Sequence, residues 1–432
     1  MRPKRMTPPV RRTTRRWRTP PAITHGGEAF EGVAVLEELR GPLGVLLWQA
    51  VRDVYLWGSL PPEERGELFV PGADSSLLGL LREAEVEVQL ETPLMGLVRL
   101  VGAPGSAQPE AVSRACQHIA AWADAEGHSA TSIAFAQAAA AALPGDASTA
   151  FAVGRTARRR AEYARAETWF RRAIALARQS GDWTSYALAF SGLGNLYVQR
   201  GNYPAARRFH VRALRAARRH SLRQIQGSAL HDLFVISAAG GSSGEAERMA
   251  RGAFEAYGAE HPRLSILAHD IAYFWMEQGH FAPALVVFDA LLPHLRRHED
   301  RMVGLANIVR AAAGVGDRRR FEDSWDEVWD GLARNDHTEN AAQVLVELAQ
   351  GGVQLGEYER ADRAADRAAR IARERGEAKV LLAAEAVQES ARRGRLARTR
   401  AAAPAAAAAA PDEAGAFAAE LARSLHASLV SR

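Results

Sequence analysis

Cysteine occurs once in the 432 residues, at Cys116, and lysine only twice, at Lys4 and Lys379. A single thiol excludes an intrachain disulfide and leaves a thiolate metal site without its other ligands. Neither lysine follows a glycine-rich loop, so a phosphate-cradling P-loop is excluded, and lysine-dependent chemistry has few places to sit. Long apolar runs are missing too. The best candidate, residues 42–57, is broken by Arg52 and Asp53 and falls short of the roughly 18 uncharged residues of a membrane span. No apolar signal core follows the basic N-terminus, so no secretory signal is expected. These absences lead to the expectation of a soluble, cytoplasmic protein without a disulfide, metal or membrane anchor.

What is present is a chain with 47% hydrophobic and 24% charged residues, the range of a folded protein able to bury a sizeable core. Its net charge of +5 is misleading. Residues 1–21 carry eight basic and no acidic side chains, so the remainder sums to −3. Residues 1–27 are rich in Arg, Pro and Thr and are expected to form a disordered basic arm. Nucleic acid is expected as a partner, if at all, only through that arm. Residues 28–110 read as a small helical region, with apolar residues at helical spacing over 31–39, 43–57 and 75–83 and punctuation at Pro61-Pro62 and Pro71-Gly72.

From residue 111 onward, segments of about 12–18 residues with helical periodicity alternate with short turns. A frame recurs in them. It is fullest as Phe190, Leu193-Gly194, Tyr197, Gly201, Tyr203 and Ala206, followed by Ala213-Leu214. An earlier copy has Gly154, Tyr163, Ala166, Phe170 and Ala173-Ile174. Later copies have Gly279, Phe281, Ala284 and Phe288, then Gly356, Tyr358, Ala361 and Ala368. Each position has a physical cause. Small residues in the first helix (Gly194, Ala272, Ala349) and the alanine opening the second (Ala206, Ala284, Ala361) permit close packing. Turn glycines (Gly127, Gly201, Gly279, Gly316, Gly356) reach positive φ and end the first helix. One turn carries Ala161 where the glycine belongs. Neither helix of a pair buries its apolar face alone, so stacked neighbours must supply the core.

The frame resembles the tetratricopeptide repeat family over residues 111–390. The expected fold is all-α, a right-handed superhelical solenoid of about seven tetratricopeptide-like hairpins preceded by the small helical region. A capping helix is expected over 377–388, ending the array at 392. An Arg/Ala/Pro linker follows over 393–411. After it comes a short amphipathic helix over 412–432, whose Phe417, Leu421, Leu425 and Leu429 should dock on an apolar surface, its own or a partner's.

Catalytic motifs are sought without result, and no enzyme, catalytic residue, cofactor or metal is expected. The string Gly240-Gly241-Ser242-Ser243-Gly244 spells a nucleophile elbow, but that motif needs a strand before its serine, and here it occupies an interhelical turn. His294 and His298 are four apart on an expected helix with no third ligand. Phe274 and Trp275 read as core. The resemblance implies that the first helix of each hairpin lines a concave groove. Mapped onto this chain, the groove positions are Arg155, Arg159, Asn195, Gln199, His231 (beside Asp232), His269 (beside Asp270), Tyr273, Asn307 and Arg310. Amides can hold an extended peptide backbone and arginine a carboxylate; the opposing reading is that these side chains are solvated or spent within the array. From 147 to 226 there are 16 arginines and three acids, and from 227 to 341 there are 11 and 18. An acidic partner, or one ending in a free carboxylate, should be steered to the first stretch. The expected function is a protein- or peptide-binding scaffold. The alternative is a peptide-responsive bacterial regulator with residues 28–110 as its effector module.

Overall fold

A computed structural model of the chain describes residues 32–334, 339–398 and 412–430, and every regular element among them is helical. The expected basic arm and residues 399–411 of the expected linker lie outside the described residues. The helices are α1 (Gly32–Glu38), α2 (Pro42–Ser59), α3 (Ala73–Glu83), α4 (Val88–Gly102), α5 (Pro109–Ala125), α6 (Ser129–Ala142), α7 (Ala147–Arg159), α8 (Tyr163–Ser180), α9 (Trp183–Gln199) and α10 (Tyr203–Arg219). They continue as α11 (Arg223–Ala239), α12 (Ser243–Tyr257), α13 (Leu264–Glu277), α14 (Phe281–Leu291), α15 (His298–Val315), α16 (Arg318–Arg334), α17 (Ala341–Leu355), α18 (Tyr358–Arg375), α19 (Ala378–Arg398) and α20 (Asp412–Val430). The chain divides into two compact units with the boundary after Asp232, inside α11.

Consecutive helices pair as hairpins, α5–α6, α7–α8 and α9–α10 in the first unit and α13–α14, α15–α16 and α17–α18 in the second, an odd-numbered first helix followed by an even-numbered second. The turn at Gly201 shows how one is closed. Gly201 stands at φ 70°, and the Asn202 amide donates to the Tyr197 carbonyl at 2.8 Å. The Asn202 side chain then accepts from the Ala205 amide at 3.1 Å, capping α10. One residue thus ends one helix and starts the next. Ala161 takes the same left-handed conformation, at φ 59°, with the Glu162 amide donating to the Ala157 carbonyl at 3.0 Å. The turn is kept without glycine, at a cost of about 1 kcal/mol. Close packing also follows the sequence frame. The fully buried Phe170 ring of α8 lies between Gly154 of α7 and Gly192 of α9, where a Cβ would come within 2.7 and 2.5 Å of it.

In the first unit, α1 and α2 pack on α6 and α4 packs on α5, with α3 held against α2 and α4. The Glu38 carboxylate accepts from the Ala130 and Thr131 amides at 2.9 and 2.8 Å and so caps α6 from 92 residues away in sequence. The Trp57 indole donates to the Pro104 carbonyl at 2.8 Å. Helix α4 was not among the expected helices. Pro93 interrupts its pattern, and buried Leu90, Leu94, Leu97, Val98 and Leu100 hold it in place.

In the second unit, α19 runs ten residues past the expected end at 388 and takes up the start of the expected linker. The C-terminal helix α20 docks on its own chain, chiefly on α14. No helix among the described residues is long and apolar enough to cross a membrane.

Candidate functional site

The first helices of the first unit bring together a set of donors with few acceptors. On α7, Arg155 is exposed and has no partner among the described residues. Arg158 beside it is half-buried, and its pKa is pushed down by burial and by the neighbouring Arg159 and Arg155, with Asp232 of α11 pulling the other way. Arg159 is spent within the array, since its guanidinium lies 2.5 Å from the Asp124 carboxylate of α5. On α9, Asn195 is half-buried and Gln199 exposed, and neither has a hydrogen-bond partner among the described residues. Asp232 of α11 is within electrostatic reach of Arg158, and α7 packs on α9; Arg155, Asn195 and Gln199 on these two helices are without partners among the described residues.

His231 does not join them. It is 2% exposed, so the reading of it as a groove contact is corrected. Its neighbour Asp232 turns toward His210 of α10, 3.3 Å from Nδ1. His210 is fully buried against Gly194, and neither ring nitrogen has hydrogen-bond geometry. Burial holds its pKa below the ordinary imidazole value, against the pull of Asp232.

The first helices of the second unit carry a closed network instead. His269 and Asp270 of α13 stay together, with Nδ1 3.4 Å from the carboxylate, so the two His-Asp dipeptides are alike in sequence and unlike in structure. The His269 Nε2 is 3.1 Å from the Asn307 amide nitrogen of α15. The Tyr273 hydroxyl donates to Glu347 of α17 at 3.2 Å, and Gln343 donates to the same oxygen at 2.9 Å. Arg310 of α15 bridges Glu347 at 3.0 Å and Glu277 at 2.7 Å. Burial works against the Arg310 charge, yet the two carboxylates raise its pKa. Burial, then Glu347 and Glu277, raise that of Tyr273. Arg310 is therefore not free to hold a partner's carboxylate as the sequence reading had it. The organising residue is Glu347, which that reading missed. Its signal was present: it is the one charged residue in the fifteen of α17.

The other chemical candidates resolve simply. His294 ends a short 3-10 turn and His298 begins α15, so the pair does not share one helix. The His294 Nε2 donates to the Leu425 carbonyl at 3.1 Å. Among the described residues no three His, Cys, Asp or Glu side chains converge as a metal site. Ser242 and Ser243 lie in the turn opening α12, with helices on both sides and no strand. Phe274 and Trp275 are buried.

The family model for the tetratricopeptide repeat matches residues 145–219, which hold α7–α10. These four helices thus form repeats of the tetratricopeptide-like kind. Comparison with curated proteins gives no match in sequence. Among solved structures the chain is similar to aspartyl phosphate phosphatase F from Bacillus subtilis (11% identity, TM-score 0.45, 90% of this chain and 100% of that one). It is also similar to a signal-transduction ATPase with numerous domains and a tetratricopeptide repeat sensor from Pyrococcus horikoshii (12%, 0.49, 86% and 61%). A third likeness is to a Rap protein complexed with competence and sporulation factor (14%, 0.44, 78% and 98%). Likeness at this level says nothing of partner or activity.

Proposed function

We propose that the protein is a binding scaffold whose first unit holds an acidic or carboxylate-ending peptide segment against α7 and α9. The observation that carries this reading is the open donor set of Arg155, Arg158, Asn195 and Gln199. Arg158 is half-buried beside Arg159 and Arg155, its pKa lowered by burial first and by those like charges second, so an incoming anion would stabilise its charge. The amides of Asn195 and Gln199 can pair with an extended backbone, and Arg155 can close on a carboxylate. In the second unit Arg310 and Tyr273 are instead already spent on Glu347.

Photo-crosslinking tests this. A benzophenone side chain placed at position 155 or 195 should form adducts with a protein or peptide in lysate of the native host. Arg207, exposed on the second helix α10, serves as the control position. Adducts at 155 and 195 that vanish with Arg158→Glu are expected. Equal capture from position 207, or none from 155, would sink the reading.

A further inference from the structure

Second helices turn their outward side away from the repeat core, and most cover it with charge. Helices α8, α10, α12, α16 and α18 each carry five to ten charged residues, whereas α6 carries none and α14 only Asp289. Both exceptions are covered. Helix α6 lies under α1 and α2, and α14 lies under α20. The two covers are attached differently. Helices α1 and α2 run through α3 and α4 into the array and are tied to it by the Glu38 cap. Helix α20 comes after α19 has followed the last hairpin, beyond thirteen residues made of Ala, Pro, Thr and Arg alone. No repeat position requires it.

The α20 contacts have the form of ligand recognition. Phe417 is edge-on to Phe254 of α12 and Trp275 of α13, with ring centroids 5.6 and 5.7 Å apart. The Arg251 guanidinium lies 4.3 Å over the Phe417 ring and 3.8 Å from the Glu420 carboxylate. Leu421 and Leu425 are buried to 1% or less. These are an aromatic anchor, a helical stripe at four-residue spacing and a charge that sets direction.

We propose that the α12–α14 face is a helix-binding site separate from the peptide site of the first unit. Helix α20 is its resident, and the partner it fits is an amphipathic helix of another protein that takes the place of α20. That helix carries an aromatic residue, leucines four and eight positions on, and an acid three positions on to meet Arg251.

A protease site inserted within 399–411 of the full chain, cleaved after folding, makes the test. A labelled peptide of residues 412–430 should then exchange into the cleaved protein and bind saturably by fluorescence anisotropy. The uncleaved chain should exclude it. The Phe417→Ala peptide should bind about 30-fold more weakly. An Arg251→Glu chain should prefer the Glu420→Arg peptide over the native one. The array should keep its helicity and cooperative melt after α20 is washed out. If the fragment survives gel filtration and does not exchange within a day, α20 is a fixed part of the core and the proposal fails. It fails equally if loss of α20 abolishes the melting transition, or if the uncleaved chain takes up the peptide.

Discussion

Each unit carries an arginine six residues ahead of a repeat turn, Arg155 and Arg310, and an asparagine on a first helix, and the two units use them in opposite ways. In the first unit exposed Arg155 and half-buried Asn195 are without partners among the described residues. In the second, Arg310 and Asn307 are each bound to a side chain one repeat away, 37 and 38 residues along the chain. One acid decides the difference. Glu347 is 5% exposed and draws Tyr273, Gln343 and Arg310 onto itself. In a stacked array the availability of a first-helix side chain is therefore set by what the next repeat presents, not by its own position in the frame.

The largest expected effect removes that acid. Glu347→Ala leaves Arg310 mostly buried with only the half-exposed Glu277 and strips the Tyr273 hydroxyl of its acceptor. A loss of about 3 kcal/mol is expected in denaturant unfolding. Replacing Arg310 and Glu347 together by Met and Leu should return most of it, because a buried pair contributes little over an apolar pair of similar size. If Glu347→Ala proved as mild as an exposed substitution, the contrast between the two faces would collapse.

The next effect belongs to the first unit. An unfolded imidazole titrates near 6.5, and burial holds folded His210 below its ordinary value. Between these pKa values the unfolded state binds more protons, so stability falls as pH drops below about 6.5. Going from pH 7.5 to 5.5 should therefore lower the stability through this group. Melting wild type and His210→Asn at both pH values isolates it from the other histidines. A pH dependence unaltered by the substitution would show that His210 does not carry the effect.

The contrast between the faces was only half visible in the amino-acid pattern. Glycine turns and small-residue seams are local, and they marked the hairpins because left-handed φ and close approach each demand a particular residue. Side-chain availability is a property of pairs on different helices, such as Asp232 with His210 and Tyr273 with Glu347, so Arg155 and Arg310 looked alike. The two His-Asp dipeptides misled for the same reason, since the partner of Asp232 is His210 on a different helix of the neighbouring hairpin. Helix α4 was hidden by Pro93, whose lost hydrogen bond is outweighed by buried leucines and valines. The covered back of α6 could have been read from its lack of charge, as the docking of α20 was read from its leucine stripe.

A smaller effect tests whether the repeat frame is the same physical object where its glycine is missing. Ala161→Gly relieves the left-handed strain at φ 59° while adding some entropy to the unfolded chain. A net gain of up to about 1 kcal/mol in unfolding free energy is expected. No gain would mean that the turn bears no strain there.

The smallest effect on stability should accompany the clearest effect on binding. Arg155 is exposed and unpaired among the described residues, so Arg155→Ala should change unfolding free energy by less than about 0.5 kcal/mol. If the open face serves a partner, the same substitution should weaken capture of that partner by about tenfold or more, since a charge-assisted hydrogen bond to a carboxylate is lost. Arg310→Ala supplies the mirror image. It should destabilise the fold by leaving Glu347 buried without its cation, and it should leave partner capture by the first unit unchanged at temperatures where the protein stays folded. Measured side by side, the two alanine variants separate an arginine kept for a partner from one consumed by its own array. If both lost stability and neither lost binding, the first-unit face would be as closed as the second.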